Sequence, residues 1–169
     1  AVVADIEGMF LQVAVREADR DALRFLWRRP GSSDPIVTYR MNVMPFGTVA
    51  SPATCAFALR QAGRDFGDDR VRQEIEQSFY VDNWLQSFSS EEEAIDVSLR
   101  VHSTLAKGGF NLTQFSSSSP AILSALPGQH QVSTSVNLNL EGSALEYTLG
   151  QHWDFSQDCF ILKVASRRL

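Results

Sequence analysis

The alternation of apolar and polar positions predicts strands at several places along the chain. Residues 1–6 (AVVADI) form an apolar run that ends at an acid, which is typical of a buried strand. Two strand-like segments within 24–44 flank the turn-forming residues 29–35, so we expect a hairpin there. A second hairpin is expected from two short strands at 78–82 and 84–88.

Helix-forming patterns separate these strands. A helix is expected to begin at Ser51, whose side chain can cap it, with Pro52 at the first helical position, and to end near Gly63 or Gly67. Another follows the S-x-x-E capping box at 90–93. Its apolar residues recur at intervals of three and four and are Ala94, Val97, Val101 and Leu105.

The order of these elements predicts the fold class. Strands and helices of this kind favour an α+β fold, in which helices pack on one face of an antiparallel sheet. After Pro127 and Gly128 the chain becomes rich in predicted strands, at 132–140, 145–149 and 159–164.

Composition excludes several classes of protein. The chain has 169 residues, 44% of them hydrophobic and 21% charged, so it is neither a disordered tail nor a fibrous rod. Two cysteines are too few for a disulfide framework, and no apolar run approaches the ~20 residues of a membrane span. We therefore expect no membrane partner.

The net charge of -5 at first argues against a nucleic-acid partner, because such proteins are usually basic. The distribution of charge changes that reading. Residues 82–96 contain five acids and no Lys or Arg, and four of the five lie at a predicted helix start. The acidic balance therefore does not exclude a nucleic-acid enzyme.

Two acids stand out as candidate metal ligands. Asp5 ends the first strand, and Asp82 lies at the tip of a predicted hairpin, each beside an apolar residue. Strand-end carboxylates that meet in an antiparallel sheet make a site for hard divalent cations. The alternative is that Asp5 is an ordinary strand-end or cap residue and that Asp82 merely belongs to a turn.

Six segments in order carry a resemblance to a known family. They are 4–10 (ADIEGMF), 23–28 (LRFLWR) with 39–41 (YRM), 44–47 (MPFG) with 50–52 (ASP), 79–83 (FYVDN), 108–112 (GGFNL) and 149–154 (LGQHWD). Together they span nearly the whole chain and resemble the palm region of reverse transcriptases, most closely those of BEL/Pao-type LTR retrotransposons.

The resemblance implies a polymerase palm-like antiparallel sheet with a fingers-side hairpin. The palm would comprise 1–12 and 51–128, the fingers-side hairpin and loop 13–50, and the strand-rich end 129–169 would lead toward a thumb that is absent. The chain would be a piece of a longer polyprotein. Its activity would be RNA-directed DNA polymerisation, the addition of dNTPs to the 3′-OH of a primer on an RNA or DNA template. Its location would be intracellular, in cytoplasmic retroelement particles.

The resemblance also implies roles for individual residues. Asp5, Asp82 and Asn83 would be catalytic. Two Mg²⁺ ions, or Mn²⁺ in their place, would be held by Asp5, Asp82 and the backbone carbonyl of Ile6. Phe10 would be the gate that excludes a nucleotide 2′-OH, although an ordinary core aromatic is the alternative.

The remaining implied contacts surround the nucleotide and the primer. Those near the nucleotide or primer end would be Phe46, Gly47, Tyr80 and Gln114. The primer grip would be Leu149 and Gly150, for which a plain hairpin is the alternative.

Two residues depart from the family pattern. Asn83 stands where most members have a second acid, and Gln114 stands where a Lys is expected. An amide removes a negative charge beside the cations, and Gln cannot donate a proton to pyrophosphate at neutral pH. A second hypothesis is therefore a degenerate, inactive palm kept as a structural or interaction module. The resemblance further implies that the family's N-terminal fingers and its thumb would be missing from this chain, so we expect the isolated chain to be inactive. A third hypothesis is an unrelated α+β binding domain, in which Asp5 and Asp82 lie far apart.

Overall fold

The computed structural model of the chain describes residues 1–128 and the backbone of three further strands. The strands are β1 (Val2–Ile6), β2 (Arg24–Trp27), β3 (Val37–Arg40), β4 (Phe79–Tyr80), β5 (Asn83–Gln86), β6 (Leu112–Ser117), β7 (Leu145–Thr148), β8 (Gln151–Asp154) and β9 (Cys159–Ile161). The helices are α1 (Ser51–Phe66), α2 (Asp69–Gln77), α3 (Glu91–Lys107) and α4 (Pro120–Ala125), with 3₁₀ turns at Met9–Gln12 and Glu17–Leu23. The predicted α+β class is confirmed.

Strand β1 is an inner strand of a four-stranded sheet whose order is β4-β5-β1-β6. It runs antiparallel to β5 on one side and to β6 on the other. The N-terminal apolar run thus becomes a strand with a partner on each side, as its lack of charge before Asp5 predicts.

Side chains along β1 alternate between a face that packs on the helices and the opposite face, termed the open face, on which Val3 is nevertheless buried. Val2, Ala4 and Ile6 are almost completely buried, in one cluster with Trp84 of β5. The helices contribute to the same cluster, so they cover this face of the sheet. Asp5 therefore points to the opposite face.

Helix α3 provides much of the buried helical surface. The four apolar residues that the sequence predicts to share one face, Ala94, Val97, Val101 and Leu105, are all buried. The capping box forms with one change of partner. Ser90 Oγ accepts from the Glu93 amide, whereas Glu93 Oε2 accepts from the amide of Ser89.

The predicted cap of α1 is wrong. Ser51 is the first residue of the helix and its hydroxyl makes no cap hydrogen bond. Instead, Ser51 Oγ donates to the carbonyl of Pro45 at 2.6 Å and is hydrogen-bonded to Thr48 Oγ1. The hydroxyl therefore holds the preceding loop against the helix, because a side chain inside the first turn can reach back to that loop.

The predicted hairpin over 24–44 is confirmed, with shorter strands than expected. Strands β2 and β3 pair in register from Arg24 opposite Arg40 to Trp27 opposite Val37. Phe25 and Trp27 have ring contacts with Tyr39 at 5.8 and 5.9 Å between centroids.

The C-terminal part is described only as strands. Strands β7, β8 and β9 form an antiparallel sheet, which confirms strands within 145–149 and 159–164 and adds β8. The predicted strand at 132–140 lies outside the described residues. The division into palm, fingers-side and C-terminal units stays a prediction. Within the described parts of the chain, no helix is long and apolar enough to cross a membrane.

Candidate active site

The open face of the sheet presents a row of polar residues at the end of β1. Asp5 lies directly opposite Asn83 of β5 and opposite Thr113 of β6. Directly opposed residues in an antiparallel sheet point to the same face, with Cβ atoms ~5 Å apart. Thr113 Oγ1 also donates to the carbonyl of Asp5, at 3.4 Å. The register thus brings Asp5 and Asn83 together.

Asp82 joins this row from the tip of the β4–β5 hairpin. Its carbonyl accepts a hydrogen bond from the Ile6 amide at 2.9 Å, which ties the tip to the end of β1. The side-chain nitrogen Nδ2 of Asn83 donates to Asp82 Oδ1 at 2.9 Å. In an extended strand the N–H and C=O of one residue point to the same side, so the Ile6 carbonyl also faces the hairpin tip.

The charge of one acid acts on the other. The pKa of Asp5 is raised from 3.8 to about 6, first by partial burial and second by the negative charge of Asp82. This effect agrees with the strand register and the Ile6–Asp82 hydrogen bond, which place the two acids at the same end of the sheet. The hypothesis of an unrelated domain, which requires them to lie on distant strands, is wrong.

Within residues 1–128, no side-chain cation forms an ion pair with either acid. The ion pairs there join arginines to other acids and involve neither Asp5 nor Asp82. Oxygen donors with excess negative charge suit a hard divalent cation. The described residues contain no cluster of three or more His, Cys, Asp or Glu able to hold a metal. A cation here would need further oxygens, from the backbone, Asn83 or a substrate.

Phe10 follows β1 closely in sequence and belongs to the core. It is buried in the 3₁₀ turn that follows β1, and its ring lies 4.9 Å from the ring of Phe46 at an angle of 56°. Phe46 itself is largely exposed. The burial of Phe10 agrees with the alternative that it is an ordinary core aromatic. Its ring contact with the exposed Phe46 shows that it also borders the loop before α1.

The backbone conformation at position 47 explains why glycine stands there, which the sequence alone did not reveal. Its φ is +84°, in the left-handed region that glycine tolerates best, and a Cβ added there would meet no atom within 4 Å. Thus the described chain itself does not crowd Gly47.

Two non-glycine residues near the site have positive φ, one in the β4–β5 turn and one in β6. Val81, in the two-residue turn between Tyr80 and Asn83, has φ 57°, which is costly for a β-branched side chain. Gln114 has φ 54° at a bulge, where two residues of β6 oppose Ala4. Tyr80 and Gln114 are both exposed.

Comparison with known proteins decides to which protein family this arrangement belongs. The profile of the family "Reverse transcriptase (RNA-dependent DNA polymerase)" matches residues 1–115, more than half of the chain. The chain belongs to the reverse transcriptase family. A search of curated proteins finds no match.

Membership accounts for the coarse features of the site. Reverse transcriptases are nucleotidyltransferases that act on a template and primer and generally use divalent metals. The match covers β1, the β4–β5 hairpin and most of β6, which hold Asp5, Asp82 and Asn83.

The structure does not describe every predicted site residue of this reverse transcriptase. Leu149 and Gly150, the predicted primer grip, lie outside the described residues. Conversely, sequence reasoning missed Thr113, which shares the row of Asp5, and Glu74, a buried acid behind the hairpin. Thr113 could have been found only by aligning β6 with β1, and the bulge at Gln114 hides that register.

Proposed function

We propose that this chain is the palm of a retroelement reverse transcriptase, which adds dNTPs to a primer 3′-OH on an RNA or DNA template and releases pyrophosphate. One observation carries the proposal above all. The β1–β5 register and the hydrogen bond from the Ile6 amide to the Asp82 carbonyl bring Asp5 and Asp82 to one end of the sheet, and neither acid has an ion pair in the part of the chain that the structure describes.

The metal would be held by this chain's oxygen atoms. Asp5, Asp82 and the backbone carbonyl of Ile6 are the proposed ligands of two Mg²⁺ ions. When bound, Mg²⁺ supplies Lewis-acid stabilisation of the attacking hydroxyl and the leaving pyrophosphate. Asn83 donates to Asp82 Oδ1 and so orients that carboxylate.

The nucleotide would lie against the loop and turn beside the two acids. Phe10, supported by its ring contact with Phe46, is the proposed sugar gate. Gly47 leaves open space next to Phe46 for a base pair. Tyr80, exposed at the hairpin, would contact the primer end.

The remaining proposals concern residues and properties that lie further from this geometry. Gln114 would face the triphosphate side, and Leu149 with Gly150 would form the primer grip. The lineage is proposed to be BEL/Pao, supported by the sequence 79–83 (FYVDN), and the location to be cytoplasmic particles. A phylogenetic tree of residues 1–115 that places the chain outside BEL/Pao elements would contradict the lineage.

Metal binding is the first test, because it does not require a complete polymerase. Mn²⁺ is titrated into the purified chain and the free ion is followed by electron paramagnetic resonance, with and without dTTP. Wild type should bind Mn²⁺ more tightly with dTTP, and Asp82→Ala should weaken binding by roughly 100-fold. Asp34→Ala, which removes an exposed acid in the turn between β2 and β3, is the matched control and should leave binding unchanged.

Primer extension on poly(rA) with an oligo(dT) primer then tests the chemistry. Incorporation that requires Mg²⁺ or Mn²⁺ and disappears in Asp82→Ala supports the proposal. Equal incorporation by the variant would show that the two carboxylates do not carry the reaction.

One observation favours the second candidate, a degenerate palm kept for structure or interaction. The residue beside Asp82 is an amide that donates to it, where a second carboxylate would add charge. If wild type binds no Mn²⁺ but Asn83→Asp does, the degenerate palm is supported. If neither binds, both assignments of this site as a metal centre fail.

A further inference from the structure

A buried carboxylate lies behind the hairpin that carries Asp82. Glu74 of α2 is 2% exposed and is the one charged residue in the buried set of residues 1–128. Ser78 Oγ donates to it at 3.0 Å, and Gln86 Nε2 lies 3.0 and 2.9 Å from its two oxygens. Arg70 forms an ion pair with it at 3.0 Å. Glu74 is thus fully partnered inside the protein.

The hydrogen-bond donors come from the two ends of one hairpin. Ser78 immediately precedes β4, and Gln86 ends β5. The amide of Leu85 also donates to the Ser78 carbonyl, at 3.1 Å, which closes the base of the hairpin. One carboxylate therefore holds both ends of the segment whose tip is Asp82.

The sheet holds the two strands of this hairpin unequally. Strand β5 has four register pairs with β1, whereas β4 is an edge strand of two residues, Phe79–Tyr80, and pairs with β5 alone. Two register pairs do little to fix β4, and the turn that it leads into, against β5. A directional contact at the base would supply the missing constraint.

The network reaches a second helix through Arg70. Its guanidinium Nη2 also lies 3.2 Å from Glu93 Oε1 on α3. A buried charge is costly, and an apolar residue of similar volume often serves stability equally well. An apolar side chain, however, would not fix the hairpin through hydrogen bonds.

We propose that Glu74 is a positioning residue for the active site, which fixes the β4–β5 hairpin so that Asp82 stays beside Asp5. The inference rests on the proposed function for the importance of that position. The mechanical part concerns the hairpin alone. The amide of Ile6 reports on it, because it donates to the Asp82 carbonyl at the tip.

The first experiment is hydrogen exchange of the purified chain in metal-free buffer, comparing wild type with Glu74→Gln. Glutamine keeps the volume but turns an amide N–H₂ group toward the donors of Gln86 and Arg70. The amides of Ile6 and Leu85 should exchange at least about tenfold faster, while that of Val101 in α3 stays unchanged. An equal increase at all three amides, or no increase at any, would refute the positioning role.

Matched variants separate the tether from charge and from misfolding. Glu76→Gln removes the neighbouring acid of α2, which pairs with Arg64 rather than with the hairpin, and should leave exchange unchanged. The double variant Glu74→Gln, Gln86→Glu swaps the two side chains and restores a carboxylate–amide pair. It should recover slow hydrogen exchange at the Ile6 amide. Should Glu74→Gln fail to fold, Ser78→Ala removes a single tether and should give a smaller local increase. No local increase in Ser78→Ala would then refute the role.

The second experiment links the tether to function. The affinity for Mn²⁺ in the presence of dTTP should fall about tenfold in Glu74→Gln and recover in the double variant Glu74→Gln, Gln86→Glu. Unchanged affinity in a variant whose Ile6 amide exchanges faster would refute the functional part. If wild type binds no Mn²⁺ while the exchange results hold, the proposed function fails and the mechanical inference stands.

Discussion

Replacing Asp5 by asparagine should stabilise the metal-free protein at neutral pH. The folded protein raises the pKa of this carboxyl from 3.8 to about 6, so ionised Asp5 opposes folding. Asparagine has nearly the same shape and no charge. The substitution thus removes the penalty and, at the same time, one proposed metal ligand.

The size of the effect follows from that pKa. A shift from 3.8 to about 6 corresponds to ~3 kcal/mol at about 1.4 kcal/mol per unit. Because the side chain is only partly buried, solvent screening reduces this, and we expect about 1–1.5 kcal/mol. For a domain of this size that is a rise in Tm of roughly 2–6 °C.

The pH dependence provides the sharper signature. A raised pKa means that the folded state binds the proton more tightly, so the extra stability is fully present below pH 3.8 and is lost as the pH rises through about 6. Asp5→Asn should therefore match wild type below pH 4, gain between pH 4 and 6, and keep a constant advantage above about pH 7.

Urea unfolding of both proteins in EDTA, repeated from pH 4 to 8, measures the difference. Carboxylates that are not coupled to Asp5 contribute equally in both proteins and cancel. Asp34→Asn, an exposed acid without an ion pair in the described residues, is the control and should show no pH-dependent difference. A difference for Asp5→Asn that is constant with pH, or a loss of stability at pH 7.5, would refute the reasoning.

Two further predictions test the surroundings of the site. Asp82→Asn should lower the pKa of Asp5 below 6 without returning it to 3.8, because burial is the larger cause of the shift and remains in the variant. Carboxyl ¹³C NMR titration measures this pKa, and an unchanged value would exclude coupling between the two acids. Gly108→Ala should cost about 3 kcal/mol in urea unfolding, because its Cβ would overlap the Cβ of Ala62 on α1. Ala62→Gly in the same chain should recover most of that loss. Gly109 has φ 84°, and a Cβ added there would meet no atom within 4 Å, so Gly109→Ala should lower the free energy of unfolding by only ~1 kcal/mol and gain nothing from Ala62→Gly. Equal rescue of the Gly108 and Gly109 variants by Ala62→Gly would contradict the steric explanation.

Much of the fold was predictable from local patterns. The apolar run of β1, the turn-rich 29–35 and the spacing of apolar residues in α3 each depend on residues close in sequence. Those elements formed where expected. The cap of α1 failed because Ser51 had two possible partners, its own helix and the Pro45 carbonyl, and only the path of the loop decides between them.

The candidate site was predictable in part. The residue types and order of the motifs pointed to Asp5 and Asp82, and the family match agrees with the reverse transcriptase assignment. The carboxylate of Glu74 gave no such signal. In sequence it belongs to a charged helix, where an acid is usually solvated, and only the packing of α2 behind the hairpin buries it.

By itself, then, the sequence determined the fold class and most of the elements and pointed to the two acids as candidate ligands, because each is encoded by neighbouring residues or by a motif. Tertiary structure decided what depends on distant parts of the chain. Strand register placed Asn83 and Thr113 opposite Asp5, and the hairpin tip placed the charge of Asp82 beside Asp5, which with partial burial raises its pKa. The physical reason is that registry, burial and electrostatic coupling arise between segments about 80 to 110 residues apart, and no local pattern specifies them.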